Sequence, residues 1–267
     1  METFNTTRFL QLCKWSIQTY KKEFLRITTG ISIAFFIVLF VSLNFENSIY
    51  MTDEMTEYAA FKCITIMFFI LSIMPSYIFN NMNTKQQRLM YKLLPASNLE
   101  KFISRALYVT LFITIGTALA FCVADVVRYS LALITGKGVQ ALATPDFFKG
   151  LCDILPKCLK GDIREWILTA EGFLWGQSLY ILGGTIFRRH QVIFTSITLI
   201  LGTIAISWLL AMTGDMFQLG LNYMREPVKI MVYCAMCVLP VLTIANYYIS
   251  YVIFKRMQVI NNKWINL

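Results

Sequence analysis

The apolar run Ile31-Ser-Ile-Ala-Phe-Phe-Ile-Val-Leu-Phe40 decides the fold class of this chain. A strand of a membrane barrel alternates between apolar and polar residues, and this run does not. In hydrocarbon every backbone amide and carbonyl needs a partner, which a helix supplies within a single segment. The run is therefore expected to belong to a helix that crosses the lipid bilayer.

The composition of the whole chain is that of an integral membrane protein. Of its 267 residues, 57% are hydrophobic and only 15% are charged, and the mean hydropathy is +0.60. Soluble domains have about 45–50% apolar and about 25% charged residues. A water-soluble globule is excluded.

Hydropathy windows of about 19 residues identify six candidate spans. They cover residues 27–43, 59–79, 103–127, 166–187, 192–212 and 230–254. The fourth span contains Glu171 and is the least apolar of the six. We therefore predict an all-α membrane protein in which residues 27–267 form one domain of six transmembrane helices.

The distribution of basic residues predicts the orientation of these spans. Residues 1–26, 80–105, 188–191 and the C-terminal tail carry fifteen of the 24 Lys and Arg residues but only three of the 15 acidic residues. Because cytoplasmic segments are enriched in Lys and Arg, this side is expected to be cytoplasmic, with both termini inside. The net charge of +9 is divided among four segments, so a nucleic acid is not expected as a partner.

The N-terminal segment 1–26 has the pattern of an amphipathic helix. One side carries Phe9, Cys13, Ile17, Tyr20 and Phe24, and the other carries Lys14, Gln18, Lys21 and Lys22. We expect an interfacial helix in the headgroup layer that leads into the first span at an angle. An ordinary cytoplasmic extension with some helix is the alternative.

Residues 80–102, which connect the second and third spans, contain two capping boxes. Thr84 with Gln87 opens a short helix through Leu94, Pro95 stops it, and Ser97 with Glu100 opens the third span. This pattern predicts a rigid elbow on the cytoplasmic side. Its apolar residues there are Leu89, Met90, Leu93 and Leu94, which suggests a protein partner.

The longest loop on the outer side covers residues 128–165. Thr144-Pro145, followed by apolar residues at helical spacing, predicts a short helix on the outer leaflet. Cys152 and Cys158 lie in the same loop, where an oxidising exterior would allow a disulfide. Outside this loop, Lys62, Asp125 and Glu171 lie near the outer boundary and are expected to reach the surface or to pair with one another.

Residues for catalysis or for cofactor binding are missing from the sequence. His190 is the only histidine, which excludes bis-histidine haem ligation and zinc sites that need two histidines. A nucleotide-binding Gly-x-x-x-x-Gly-Lys-Ser/Thr motif does not occur. We predict no catalytic residue, no cofactor and no metal, and therefore no ATP hydrolysis by this chain alone.

A stripe of small residues marks the fourth span as a packing surface. Gly172, Gly176 and Gly184 fall on one face, where another helix can approach closely. Pro75 and Pro240 interrupt the second and sixth spans and permit bends. Together these residues suggest a bundle that changes shape.

The segment Asn83-Thr-Lys-Gln-Gln-Arg-Leu-Met-Tyr-Lys-Leu-Leu-Pro-Ala-Ser-Asn-Leu-Glu-Lys-Phe-Ile-Ser-Arg105 resembles the corresponding connection of ABC-2 type transporter permeases. In that family a basic stretch runs into a leucine-rich turn, then proline, a small residue and serine, and then a charged start to the third span. The matching positions here are Lys85, Arg88, Leu93, Leu94, Pro95, Ser97, Glu100 and Lys101.

The resemblance implies a membrane-spanning subunit of an ATP-driven bacterial exporter in the cell inner membrane. It implies that the elbow is a coupling helix that docks on a separate ATP-binding subunit, and that a second permease subunit, identical or related, completes the transporter. Leu89, Met90, Leu93 and Leu94 would supply the buried contact, and Lys85, Arg88 and Lys92 would orient it.

Two other function classes remain open. A non-transporting membrane scaffold, assembly factor or immunity-type protein would bind a partner through the same elbow. An intramembrane enzyme is the third class, although no acid–base or nucleophile–base pair is visible at a suitable depth.

Overall fold

The described residues form an all-helical chain, as the composition predicts. The structure, a computed structural model, describes residues 4–44, 52–82, 84–134, 141–160, 163–187, 190–221 and 227–257. The helices are α1 (Thr6–Asn44), α2 (Thr52–Ile73), a 3-10 helix (Met74–Met82), α3 (Lys85–Lys92), α4 (Asn98–Leu107), a π-helical turn (Tyr108–Phe112), α5 (Ile113–Ile134), α6 (Thr144–Lys160), α7 (Ile163–Ile186), α8 (Gln191–Leu221) and α9 (Pro227–Arg256). No strand occurs among these residues.

Five described stretches are long and apolar enough to cross a membrane. They are Thr6–Leu43, Met55–Asn80, Asn98–Ile134, Gln191–Leu209 and Tyr233–Arg256. The remaining predicted span, residues 166–187, coincides with the 24-residue helix α7. This helix includes Glu171, Gln177 and several glycines, which lower its hydropathy below that of the other five.

Helix α1 differs from the expected combination of an interfacial helix and a separate span. It is one uninterrupted helix of 39 residues, about 58 Å long at 1.5 Å per residue. The hydrocarbon layer is only about 30 Å thick. The polar segment before residue 27 therefore runs into the span without an interruption of the helix, and its interfacial position and the angle to the span stay predictions.

The chain divides into two compact units, which are described separately. The first, called the N-terminal unit, comprises Asn5–Leu71 and Leu107–Ile163. Here α1 packs along α5: the Phe35 and Phe121 rings meet edge to face with centroids 5.6 Å apart. Both rings are fully buried. Within the N-terminal segment, the Tyr20 ring lies 5.9 Å from that of Tyr108, so the apolar face predicted for this segment is partly used for packing within the protein.

The outer loop forms the predicted helix after Thr144, and a buried ion pair holds its first turn. Asp125 Oδ2 accepts hydrogen bonds from the Thr144 backbone N–H at 2.8 Å and from the Thr144 hydroxyl at 2.7 Å. Asp125 Oδ1 lies 2.9 Å from Arg128 Nη2, and both side chains are buried. Asp125 caps α6 and pairs with Arg128, so the expected pairing with Lys62 or Glu171 is wrong for this carboxylate.

Two further contacts join α6 to neighbouring helices. The Phe147 ring stacks on Phe121 at 3.9 Å between centroids, and Thr56 donates a hydrogen bond to Asp146 at 2.8 Å. Cys152 is an exposed free thiol. The side chain of Cys158 lies outside the described residues, and its pairing stays a prediction.

The second unit, called the elbow unit, comprises Met1–Phe4, Ser72–Ala106 and Arg164–Leu267. An aromatic cluster joins its parts: the Phe79 ring stacks on Phe254 of α9 at 4.8 Å and lies 6.3 Å from Phe102 of α4. Phe79 and Phe254 are buried. The 3-10 helix, α4 and the end of α9 therefore share one core.

The glycine stripe of α7 packs at only one of its three predicted positions. A methyl group added to Gly184 would overlap the backbone oxygen of Ser76 and would lie 2.9 Å from the Ser76 Cα. The same group on Gly172 or Gly176 would meet no described atom within 4 Å. Gly184 thus lies directly against the Ser76 backbone, and the packing role predicted for the glycine stripe as a whole stays a prediction.

Candidate functional site

The first arm of the elbow is α3, and its start is built as the sequence predicts. The Thr84 hydroxyl accepts the Gln87 backbone N–H at 3.3 Å, and the Gln87 side chain accepts the Thr84 N–H at 3.2 Å. This reciprocal pair satisfies two amides that a helix start leaves without partners. Helix α3 ends at Lys92, with Leu93 as its cap. The predicted end at Leu94 is two residues too late because residues before Pro95 avoid helical geometry.

The second arm begins at the other predicted capping box. The Ser97 backbone N–H donates to Glu100 Oε2 at 2.8 Å, and the Glu100 N–H donates to the Ser97 hydroxyl at 3.2 Å. Both side chains are buried. Ser97 and Glu100 therefore belong to the internal frame of the elbow and do not form part of its surface.

The exposed side of the elbow is apolar. Leu89, Met90 and Leu93 are 46%, 70% and 78% exposed, and Lys85 and Pro95 are exposed beside them. We call these five residues the elbow surface. Large apolar side chains grouped on one side of a short polar helix are typical of a binding surface.

Three predicted contact residues do not lie on that surface. Arg88 is buried, with only 2% of its surface exposed. Leu94 and Lys92 are half-buried, and Lys92 Nζ donates a hydrogen bond to the carbonyl oxygen of Met257, just beyond α9. The expectation that Arg88 and Lys92 orient a partner stays a prediction; in the structure the Arg88 side chain is buried and the Lys92 side chain is bonded within the chain.

Buried cations hold the two arms together by donating to backbone carbonyls. Lys101 Nζ lies 2.8 Å from the Lys92 carbonyl at the end of α3, and Arg105 Nε lies 3.0 Å from the Ile78 carbonyl of the 3-10 helix. The Tyr91 hydroxyl donates to the Lys101 carbonyl at 2.8 Å. Terminal helix carbonyls lack partners within the helix and carry partial negative charge, which favours cations there.

The neighbouring positive charges disfavour the protonated form of Lys92. Burial lowers the pKa of the Lys92 ammonium below its ordinary value, and the charges of Lys101 and Arg88 lower it further. From the sequence, these basic residues were expected to indicate topology and to orient a partner, and a role in the internal framework was not predicted. Their framework role depends on Ile78 and Met257, which are distant along the chain and therefore invisible to local patterns.

Chemistry of other kinds finds little support among the residues described. No group of three or more His, Cys, Asp or Glu side chains in this part of the chain is arranged to hold a metal ion. No family model, curated protein or solved structure matches the chain. The elbow surface is therefore the structural feature that points to a function.

Proposed function

We propose that this chain is the membrane-spanning permease subunit of an ATP-driven, ABC-2 type exporter in the bacterial inner membrane. The elbow surface carries the proposal. It presents Leu89, Met90 and Leu93 to the outside, while its frame is capped at both arms and bonded to neighbouring helix ends. A stiff helix with an exposed apolar side suits the transmission of force from a partner.

The topology of the proposal has six spans with both termini in the cytoplasm. Helix α7 is the fourth of these six spans, since its 24 residues extend about 36 Å at 1.5 Å per residue. The excess of Lys and Arg in residues 1–26, 80–105 and the C-terminal tail supports a cytoplasmic position of the elbow. ATP hydrolysis then occurs in a separate subunit that docks there.

A second permease subunit completes the proposed transporter. Gly172 and Gly176 leave room along α7 for a close helix from that subunit, because no described atom of this chain approaches them. Nucleotide-driven movement of two ATP-binding subunits would push the two elbows and change access to the path between the permeases.

The alternative function is a non-transporting scaffold, assembly or immunity-type protein. The same elbow surface favours it, because an apolar surface does not reveal whether its partner hydrolyses ATP. The two functions differ in what binds the elbow, and this difference is directly measurable.

Gentle solubilisation of the tagged wild-type protein, followed by an ATPase assay on the purified complex, tests the proposal. Burial of Met90 and Leu93 contributes about 1.5–3 kcal/mol each, and about 1.4 kcal/mol corresponds to a tenfold change in affinity. We therefore expect Met90→Asp with Leu93→Asp to reduce the bound ATPase by at least about tenfold.

Asn98→Asp is the control for added negative charge, because it adds one such charge, against two in the double variant, to an exposed position at the start of α4. It should keep the ATPase, since an acid is favourable at a helix N-terminus. Retention of the ATPase by the double variant would reject the coupling role. A wild-type complex whose partner does not bind ATP would favour the scaffold.

A further inference from the structure

Within the N-terminal unit, α1 lies beside the π turn and α5, which continue directly into one another. Three contacts follow one another along this pair: the rings of Tyr20 and Tyr108 lie 5.9 Å apart, the Thr28 side chain lies beside Gly116, and the rings of Phe35 and Phe121 lie 5.6 Å apart. Residue numbers rise together along the pair at a separation of about 88. The two helices are therefore parallel, and the contacts fix which residues share a level.

The charge-free runs of these two helices do not lie at the same level. On α1 the run covers residues 27–45, and on the second helix it covers residues 107–124 of this unit. Each run extends about 27 Å, nearly the thickness of the hydrocarbon layer at about 30 Å. Because Tyr20 is level with Tyr108, the run of α1 begins about eight residues, or about 12 Å, further along the pair. A flat bilayer therefore cannot enclose both runs fully.

Three cations of α1 lie where the two runs are out of step. Lys21, Lys22 and Arg26 are exposed, and the contacts above make them level with residues 109–114 of the second helix. The exposed side chains of that helix near this level, Leu111 and Ile115, are apolar. In the part of the chain that the structure describes, no ion pair joins the three cations to another residue. Exposed positive charge and exposed apolar surface thus share one level of the unit.

Neither hydrocarbon nor water alone suits this level. Insertion of a Lys or Arg into hydrocarbon is disfavoured by about 100-fold. Water around the cations would leave Leu111 and Ile115 in contact with it. An anionic phospholipid satisfies both groups, because its phosphate accepts hydrogen bonds from the cations while its acyl chains cover the apolar side chains.

The exposed face of α1 also continues from the cations into an apolar surface. Leu25, Ile33 and Ile37 are exposed beyond the cationic turns. A methyl group added to Gly30, one turn beyond Arg26, would meet no described atom within 4 Å. The approach to the Arg26 guanidinium along the helix is therefore open in this chain, and acyl chains have apolar side chains to follow.

We propose that Lys21, Lys22 and Arg26 bind the phosphate of an anionic phospholipid in the leaflet on the N-terminal side of the membrane. The acyl chains lie on the exposed apolar side chains of α1 and α5. Charge complementarity selects this occupant, because Glu23 is the only acidic residue of α1 and is half-buried. The site does not depend on what binds the elbow surface, so the proposed transport function and this site stand or fall separately.

Native mass spectrometry of the full-length protein, released from detergent, tests the site by counting bound lipids and copies of the chain. Phosphatidylglycerol, which carries a net negative charge, should bind at least about tenfold more tightly than zwitterionic phosphatidylcholine. Equal binding of the two lipids would overturn the charge argument. Displacement of phosphatidylglycerol by an equal concentration of inorganic phosphate would overturn the lipid as occupant. Two copies of the chain without lipid would assign this surface to a second copy and overturn the proposal.

A pair of double variants separates a defined site from general attraction to positive charge. Each Lys or Arg near an anionic membrane surface changes binding by about fivefold. We therefore expect Lys22→Gln with Arg26→Gln to weaken phosphatidylglycerol binding at least about tenfold. Lys255→Gln with Arg256→Gln is the matched control, because it removes the same two charges from exposed positions in the last turn of α9. It should change binding by less than about twofold, and an equal loss in both variants would overturn the site.

A charge-keeping variant distinguishes the loss of charge from a change in the helix. Lys22→Arg with Arg26→Lys retains both cations at exposed positions and should bind phosphatidylglycerol like wild type. Loss of binding in this variant, to the level of the neutral one, would show that charge at these positions does not hold the lipid and would overturn the proposal.

Discussion

Alanine substitutions at three glycines of α7 test how closely this helix is packed at each position. At Gly184 an added methyl group would overlap the Ser76 backbone oxygen and lie 2.8 Å from the Ser76 carbonyl carbon. Backbone atoms of a packed helix cannot move aside cheaply, and overpacking of this kind costs about 1–3 kcal/mol or more. At Gly176 the space is open, and Ala is favoured over Gly in a helix interior by about 1 kcal/mol.

We therefore expect Gly184→Ala to lower the free energy of unfolding by at least about 2 kcal/mol. Gly176→Ala should leave it unchanged or raise it slightly. Gly183→Ala should fall between them, because its methyl group would overlap the Thr195 side chain, which can shift at lower cost than backbone atoms.

Thermal unfolding of the purified monomer in mild detergent measures the series. A loss of about 2 kcal/mol corresponds to about 4–8 °C for a chain of this size. Equal unfolding temperatures for Gly184→Ala and wild type would refute the packing argument. So would an equal loss in Gly176→Ala, since that position has no neighbour within 4 Å in this chain.

Three further predictions concern the charged residues. Asp125→Ala leaves Arg128 buried without its carboxylate and should cost about 3–5 kcal/mol in chemical unfolding; a cost below 1 kcal/mol would contradict the buried pair. Folding lowers the pKa of Lys92 from its ordinary value of 10.5. At pH values between the folded-state pKa and 10.5, the unfolded chain therefore binds more protons than the folded chain. Stability should therefore rise with pH across this window, and Lys92→Met should flatten the rise in unfolding temperature; an identical slope would reject the pKa argument. Glu100→Ala should destabilise the protein by about 1–3 kcal/mol because the buried Ser97 N–H loses its acceptor. Glu100→Gln keeps an acceptor oxygen and should cost less. The same unfolding assay measures both variants, and a larger loss of stability in Glu100→Gln would be inconsistent with the cap.

Local signals predicted the elbow well. The two capping boxes and Pro95 involve residues within three or four positions of each other, and such contacts form wherever the backbone turns into a helix. The same reasoning found the helix that begins at Thr144. The continuity of α1 was missed because an amphipathic pattern indicates which side of a helix is polar and does not indicate where its axis bends.

Contacts between segments distant in the chain explain where predictions from local patterns differ from the structure. Arg88 was expected on the partner side of α3, but α3 turns this side chain inward, where it is 2% exposed. The partner of Asp125 depends on how α6 packs against α5. Gly172 and Gly184 belong to the same stripe, and Gly184 is closely packed because the Ser76 backbone lies against it.

The sequence by itself determined that this chain is helical and has apolar runs long enough to cross a membrane, because in lipid only a helix satisfies the backbone of such a run within one segment. It also determined where the helices of the elbow begin, because caps are local. Only the tertiary structure decided which elbow residues face outward and which cations hold helix ends. Those outcomes depend on carbonyls and rings contributed by segments far apart in the chain, whose proximity no local pattern encodes.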